Sequence, residues 1–128
     1  MDDSRQEAGD STLTLARAAA EAVRGLNHAT SGGLGQPAVA YAVLGELSLA
    51  ASRLPQLLAQ VSRWLAAALA AGQLACDDGT SPAPAIDAAW LFLDGARGTA
   101  AALAQDLACA QQQLSAINGE PALRKETS

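Results

Sequence analysis

Apolar residues recur every seven positions between residues 84 and 118, the pattern of one long amphipathic helix. Two heptad sets, three residues apart, are wholly apolar. They are Ile86, Leu93, Ala100, Leu107 and Leu114, and Ala89, Ala96, Leu103, Ala110 and Ile117. Pro84 suits a first helical position, Asn118-Gly119 suits a C-terminal cap, and Pro121 prevents continuation. The pattern predicts a helix from Pro84 to Asn118 that packs lengthwise against a neighbour.

A second long helical region begins at Pro37 and is predicted to end between Gly72 and Cys76. Its predicted packing positions form two heptad sets: Ala40, Leu47, Leu54, Val61 and Ala68, and Val43, Ala50, Leu57, Trp64 and Ala71. A third set, Leu44, Ala51, Leu58 and Leu65, widens the apolar stripe. The heptad phase continues across Pro55, although a proline inside a helix costs about 3 kcal/mol. Either one helix is kinked there or two helices abut, and the intact phase favours the kink.

A shorter helix is predicted from Ser11 or Thr12 to Ala29. Its apolar stripe is Leu15, Ala19, Ala22, Val23 and Leu26. We expect residues 1–10 to be a flexible acidic N-terminus, residues 11–118 to form a single helical bundle domain, and residues 119–128 to be a polar tail. The glycine-rich stretch of residues 30–36 is a connector, because it lacks the lysine and the preceding strand of a phosphate-binding loop.

These lengths predict an all-α fold. The two long helices have matched lengths and a short connection, so they form an antiparallel hairpin. The shorter helix packs on half of it, over residues 37–54, which gives a three- to four-helix bundle. The other end of the hairpin, near the connection between the two long helices, is then not covered by another helix of the same chain.

Composition supports this fold class. Alanine contributes 32 residues and leucine 19, and both are strong helix formers. Phe, Tyr and Trp together contribute only four residues, so the core must be built largely from small side chains. Alanine-rich surfaces let helix axes approach closely.

The net charge and the cysteine content indicate which kinds of partner and which cellular compartment to expect. The formal net charge of −5 disfavours binding to nucleic acid, which needs a basic surface. The N-terminus is polar and acidic, unlike a signal peptide, and the longest apolar run, Trp64–Ala71, is too short for a membrane span. Cys76 and Cys109 are too far apart along the predicted helices to pair, so we expect free thiols and a cytoplasmic protein.

The uncovered end of the hairpin is the predicted interaction surface. Residues 88–102 carry apolar or small side chains on the outer face of the long helix, and Trp64–Ala71 is apolar on every side, as in a buried helix. Gly95 and Gly98 suggest close approach of another backbone. The predicted interface residues are Leu57, Leu58, Trp64, Leu65, Ala88, Trp90, Leu91, Phe92, Gly95, Gly98 and Ala102.

Other candidate groups have simpler interpretations. His28 is the only histidine and has no nucleophile or acid placed beside it in the sequence. Asp77, Asp78, Asp87 and Asp94 match no metal-binding spacing, and Arg53, Gln56, Gln60 and Arg63 form a solvated helix face. We therefore predict no catalytic residue, cofactor or metal, and no enzyme activity.

Two functions follow. The first is a non-enzymatic interaction or scaffold module that forms a homodimer or binds another helical protein through the hairpin end. The alternative is a regulatory helical bundle that binds a small molecule in an apolar pocket near Trp64 and Trp90.

The run AYAVLGELSLAASRLPQLL, from Ala40 to Leu58, resembles small uncharacterised helical proteins of high-GC Gram-positive bacteria, some of them carried on mobile elements. The likeness covers residues 37–118 and implies no known activity and no functional residues. The size and hairpin are also similar to those of WXG100 secretion substrates. That family has a Trp-x-Gly at its turn, where this chain has Cys76-Asp77-Asp78-Gly79, and we do not assign the chain to it.

Overall fold

A computed structural model describes residues 2–118 of the chain. They form three helices, α1 (Asp2–Thr30), α2 (Pro37–Ala70) and α3 (Ala83–Gln113), with no strand among them. The all-α prediction is confirmed. The chain divides into two compact units, Met1–Gln36 and Pro37–Ser128, so the prediction of one bundle domain over residues 11–118 stays a prediction. The predicted tail, residues 119–128, lies outside the described residues.

The first unit contains α1, which begins at Asp2 rather than at Ser11 or Thr12. The segment predicted to be flexible is therefore helical from Asp2 onwards. Acidic residues in the first turn of a helix interact favourably with its dipole, and Asp3 lies in the first turn of α1. Most of the predicted apolar stripe of α1 is exposed, and Leu26 is half-buried. The packing of α1 on the two longer helices stays a prediction.

The helix α2 runs without interruption through Pro55. Of the two interpretations of this proline, the one with two abutting helices is wrong. The helix ends at Ala70, slightly before the predicted limit, and Gly72 follows with φ +72°. The Gly72 N–H donates to the Leu69 carbonyl (3.1 Å), and the Gln73 N–H donates to the Ala68 carbonyl (2.9 Å). This pair of bonds is a Schellman motif, which satisfies the last carbonyls of the helix.

The helix α3 has Pro84 in its first turn, as predicted. It ends at Gln113 rather than at Asn118, and its C-cap is Leu114. Gly119 of the predicted cap lies outside the described residues. The chain leaves the helix through tight turns in which Leu114 N–H donates to the Gln111 carbonyl (3.0 Å) and Ile117 N–H to the Leu114 carbonyl (3.1 Å). Bonds of this i→i+3 type end a helix without a left-handed glycine.

The connection between α2 and α3 is ordered by its own side chains. The Asp78 carboxylate accepts hydrogen bonds from the Thr80 hydroxyl (2.6 Å) and the Thr80 N–H (3.0 Å). These bonds to Thr80, the hydroxyl first, lower the pKa of Asp78. Gly79 takes φ +79°, and the Ser81 hydroxyl accepts from the Ala83 N–H (3.2 Å) at the start of α3.

The helices α2 and α3 pack on one another in opposite directions. The Ser48 hydroxyl donates to the Ala104 carbonyl (2.9 Å), and the Gln111 side-chain amide donates to the Tyr41 carbonyl (3.1 Å). One heptad back along α2 thus corresponds to one heptad forward along α3, which defines an antiparallel pair.

Candidate interaction surface on the α2–α3 pair

The seam between α2 and α3 is the set of positions at which the two helices bury each other. In α3 it includes the first predicted set, which is confirmed: Ile86, Leu93, Ala100, Leu107 and Leu114 are all buried or half-buried. The second row of the α3 seam is Arg97, Ala104 and Gln111. The seam of α2 includes Leu44, Ala51, Leu58 and Leu65, then Ser48, Pro55, Ser62 and Leu69, and the buried Ala68.

The other predicted packing positions are wrong only in part. Ala40, Val43, Leu47, Ala68 and Ala89 are buried or half-buried, as predicted, and the following positions are not. In α2, Leu54, Val61, Leu57 and Trp64 are exposed, and in α3, Ala96, Leu103 and Ala110 are exposed, as is Ile117 just after the helix. The physical reason is the width of the apolar stripe, which covers more of each helix than one neighbour can bury. The most deeply buried positions of the pair are alanines and one serine, and the leucines of the seam are only half-buried.

The core of the pair is made of small side chains. The buried residues in the described part of the chain are Ala51, Ala68, Ala100, Ala104 and Ser62, and no large side chain there is fully buried. Small residues allow the helix axes to approach closely, but each buries little apolar area. The contact between α2 and α3 therefore buries only part of the apolar surface of the two helices.

A contiguous exposed surface, here called the apolar flank, lies along one side of the pair. It comprises an open groove of about 620 Å³ and the adjoining residues Leu57, Val61 and Trp64 of α2, which follow Leu54 at helical spacing. The groove is lined by Leu54, Leu58, Leu91, Phe92, Gly95, Ala96, Thr99, Ala100 and Leu103. Phe92 is 80% exposed and Leu91 72%, although both are large apolar side chains. No lining residue is charged.

The structure places the eleven predicted interface residues in three groups. Leu58, Leu91, Phe92 and Gly95 line the groove. Leu65 is half-buried in the seam. The remaining six are exposed outside the groove lining: Leu57, Trp64, Ala88, Trp90, Gly98 and Ala102.

Sequence reasoning missed five groove residues: Leu54, Ala96, Thr99, Ala100 and Leu103. All but Thr99 were assigned to the packing positions between the two long helices. The available signal was the presence of two adjoining apolar heptad sets on each helix, only one of which a single neighbour can cover.

The glycines of α3 lie in open space. A methyl group added at Gly95 or at Gly98 would meet no atom within 4 Å. Neither glycine is therefore required for the packing of α3 on α2. Gly45 in α2 differs, because a methyl group there would collide with the side-chain amide of Gln111.

The remaining candidate groups do not form a site. Within residues 2–118, no three His, Cys, Asp or Glu side chains are grouped so as to hold a metal ion. Cys76 and Cys109 are free thiols, and His28 is exposed in the last turn of α1. The run Trp64–Ala71 is not buried on every side, because Trp64 and its neighbours on one side are exposed while Ala68 is buried.

Within residues 2–118, none of the helices combines the length and the apolar character that a membrane crossing requires. The groove is an apolar feature formed by side chains of α2 and α3 together. Comparison of the chain with models of known protein families, with curated proteins and with solved structures finds no match.

Proposed function

We propose that the α2–α3 pair is a helical protein–protein interaction module, which self-associates or binds another helical protein through the apolar flank. The groove lies near the middle of the pair, and Leu57, Val61 and Trp64 extend the flank towards the connection. The interface predicted from the sequence, residues 57–71 and 88–102, overlaps the flank in part. The observation that supports the proposal is the contrast between Phe92, which is 80% exposed, and a core of four alanines and one serine. A contiguous exposed apolar surface marks an interaction site.

Burial of the apolar flank against a partner would be energetically favourable. Apolar surface removed from water contributes about 25 cal/mol per Å². Association has entropic and desolvation costs, so the area alone does not set the affinity. Aromatic side chains often supply much of the binding free energy of an interface, and Phe92 is an exposed aromatic side chain in the groove lining.

Light scattering of the purified protein tests the proposal. The wild type is compared with Leu91→Glu, which places a carboxylate in the groove lining. The matched control is Leu15→Glu in α1, because Leu15 and Leu91 have the same side chain and the same exposed fraction, 72%. We expect an oligomer for the wild type and for Leu15→Glu, and a monomer for Leu91→Glu.

Two other outcomes are informative. If the wild type is a monomer from micromolar to millimolar concentration, self-association is wrong and only a different helical partner remains. If the wild type associates and Leu91→Glu keeps the same mass, the interaction surface is not the apolar flank.

Binding of a small apolar molecule is the second candidate, because the volume of the groove lies within the range of roughly 300–1,000 Å³ of ligand sites. The groove is open, however, whereas a ligand site buries most of its ligand. Neither Trp64 nor Trp90 lines it. A small molecule retained in native mass spectrometry on a monomeric protein would favour this candidate. In both cases we propose a function without catalysis.

A further inference from the structure

We infer that the α2–α3 pair has a second packing arrangement, here called the closed arrangement, in which the two helices rotate about their own axes and the groove closes. The arrangement of the structure, with the groove accessible, is the open arrangement. The inference concerns the pair itself and goes beyond the proposed function, because it states when the apolar flank is available to a partner. The apolar sets, the polar groups of the seam and its hydrogen bonds support it.

Each of the two helices carries two adjoining apolar heptad sets, which together can form one apolar seam. In α3 they are the sets of Leu93 and Leu103, and in α2 the sets of Leu58 and Leu54. The open arrangement buries or half-buries the Leu93 and Leu58 sets, whereas Leu54, Val61 and Leu103 are exposed. A rotation of both helices towards the groove turns these exposed side chains into the seam.

In α2 the rotation needs to be only local. Leu47 and Ala68 belong to the same heptad set as Leu54 and Val61, and they are half-buried and buried, respectively. Only the middle of this set is therefore turned outwards, at the groove. Pro55 lies at the same point and removes one hydrogen bond of the helix, which makes α2 easier to deform there.

The seam of the open arrangement contains polar groups that rotation returns to water. The Arg97 Nε is buried and has no hydrogen-bond partner in the described part of the chain. Ser62, on the α2 side of the seam, is buried as well. A buried polar atom without a partner lowers stability, because it has lost its hydrogen bonds to water. The closed arrangement removes this cost, since Arg97 then lies outside the seam.

Two hydrogen bonds across the seam favour the open arrangement. The Ser48 hydroxyl donates to the Ala104 carbonyl (2.9 Å), and the Gln111 amide donates to the Tyr41 carbonyl (3.1 Å). Rotation breaks both bonds and buries leucine side chains in exchange, so the two contributions oppose each other. A partner that binds the flank selects the open arrangement, and its apparent affinity falls with the fraction of closed molecules.

The test uses Phe92, the only phenylalanine of the chain, which lines the groove. Incorporation of 4-fluorophenylalanine places a single fluorine there, and ¹⁹F NMR of the full chain then reports on the groove. We expect two signals, or one signal broadened by exchange, because the neighbours of Phe92 differ between the two arrangements. Their ratio should not depend on protein concentration, since the rotation takes place within one chain.

Three variants change the ratio of the two arrangements in different ways. Ser48→Ala removes one bond of the open arrangement and should raise the ratio of closed to open molecules about fivefold, as the loss of one hydrogen bond implies. Arg97→Leu removes the buried nitrogen and should lower the ratio. Ser52→Ala is the control, because the Ser52 hydroxyl is exposed and donates within α2, and it should leave the ratio unchanged.

A disulfide between Ser48→Cys and Ala104→Cys locks the open arrangement, because the short bond between these residues shows that their backbones lie close together. Cys76 and Cys109 are replaced by alanine, so that no other disulfide forms. The oxidised variant should give one sharp ¹⁹F signal, that of the open arrangement. Reduction of the same variant is the matched control and should restore the second signal.

Two results would overturn the inference. The first is one sharp signal at the same chemical shift in the wild type, in Ser48→Ala and in the oxidised variant, because the groove then has a single arrangement. The second is a minor signal whose share grows with protein concentration, since that signal belongs to an associated form. The first result leaves the proposed function standing and the second supports it, and light scattering of Leu91→Glu tests that function separately.

Discussion

The Ser48 hydroxyl donates a hydrogen bond to the backbone carbonyl of Ala104 across the interface of α2 and α3, over 2.9 Å. A serine side chain is short, so this bond requires the two backbones to lie close together. Ala104 is buried, and Ala100 one turn earlier is buried as well. At this contact the interface is formed by buried alanines and one serine hydroxyl, and larger apolar residues such as Leu54 and Leu103 are exposed.

We expect Ser48→Ala to lower the free energy of unfolding by about 1 kcal/mol, because a part-buried interhelical hydrogen bond is lost. Urea denaturation followed by circular dichroism measures the change. Ser52→Ala is the control, since the Ser52 hydroxyl donates within its own helix to the Leu49 carbonyl (2.6 Å) and is exposed. Equal effects of the two substitutions would show that the bond across the interface contributes nothing specific.

The contact of Gly45 with Gln111 gives a second prediction. Alanine in place of a helical glycine normally stabilises by about 0.5–1 kcal/mol. At Gly45 the added methyl group displaces the Gln111 amide and breaks its bond to the Tyr41 carbonyl, which offsets the gain. We expect Gly45→Ala to be nearly neutral in urea denaturation.

The same substitution made in a Gln111→Ala background isolates the contact. There the methyl group has space, and Gly45→Ala should recover the full stabilisation. Gly98→Ala, in open space, should show that stabilisation in the wild-type background. A neutral result for Gly45→Ala in both backgrounds would contradict the argument.

The sequence pattern predicts the existence of all three helices but only part of the surface on which α2 and α3 meet. A heptad pattern reports how wide the apolar stripe is, and both helices carry apolar residues at adjoining heptad positions. Leu54 and Leu103 were assigned to the interface for that reason, and both are exposed. Gln111 was not assigned to the interface, although it lies there. A polar residue at such a position needs a specific hydrogen-bond partner, here the Tyr41 carbonyl, and a heptad pattern does not identify one.

The candidate site was predictable in part for the same reason. Leu91 and Phe92 were assigned to the exposed surface because they lie off the first heptad set of α3. Thr99 is polar and has no apolar signal, although it lines the groove and donates its hydroxyl to the Gly95 carbonyl (3.1 Å). Which side of the pair carries the groove depends on the antiparallel register, which no pattern within one helix specifies.

The connection between the helices gives a prediction about pH. The Asp78 carboxylate accepts two hydrogen bonds from Thr80, so its pKa in the folded protein lies below the ordinary value of 3.8. A lowered folded pKa means that the carboxylate contributes stability above its unfolded pKa, and that this contribution is lost as the pH falls through the folded pKa. Because Asp78 is fully exposed, we expect the effect on unfolding to be small.

The pKa itself is the better observable. In an NMR titration of the Asp78 carboxyl carbon, Thr80→Ala should raise the pKa towards 3.8, because the hydroxyl bond is the largest cause of the shift. Thr80→Ser keeps a hydroxyl at this position and should keep the lowered pKa. An unchanged pKa in Thr80→Ala would show that the turn does not hold this bond in solution.

The two tryptophans report separately on the two sides of the α2–α3 pair. Trp64 is 63% exposed and belongs to the apolar flank, whereas Trp90 follows the heptad row of Arg97 and Ala104, on the other edge of the seam. If the flank is covered on association, the fluorescence emission of Trp64 should move to shorter wavelength as protein concentration rises. The emission is measured for Trp64 in a Trp90→Phe variant and for Trp90 in a Trp64→Phe variant.

We expect the concentration-dependent shift for Trp64 alone, because an indole that leaves water for an apolar interface loses its polar surroundings. Adding Gly95→Leu to the Trp90→Phe variant should abolish the shift, since it fills the groove of the flank, and Gly98→Leu should leave it intact. A shift confined to Trp90 would place the contact on the opposite edge of the seam, where the groove takes no part in it.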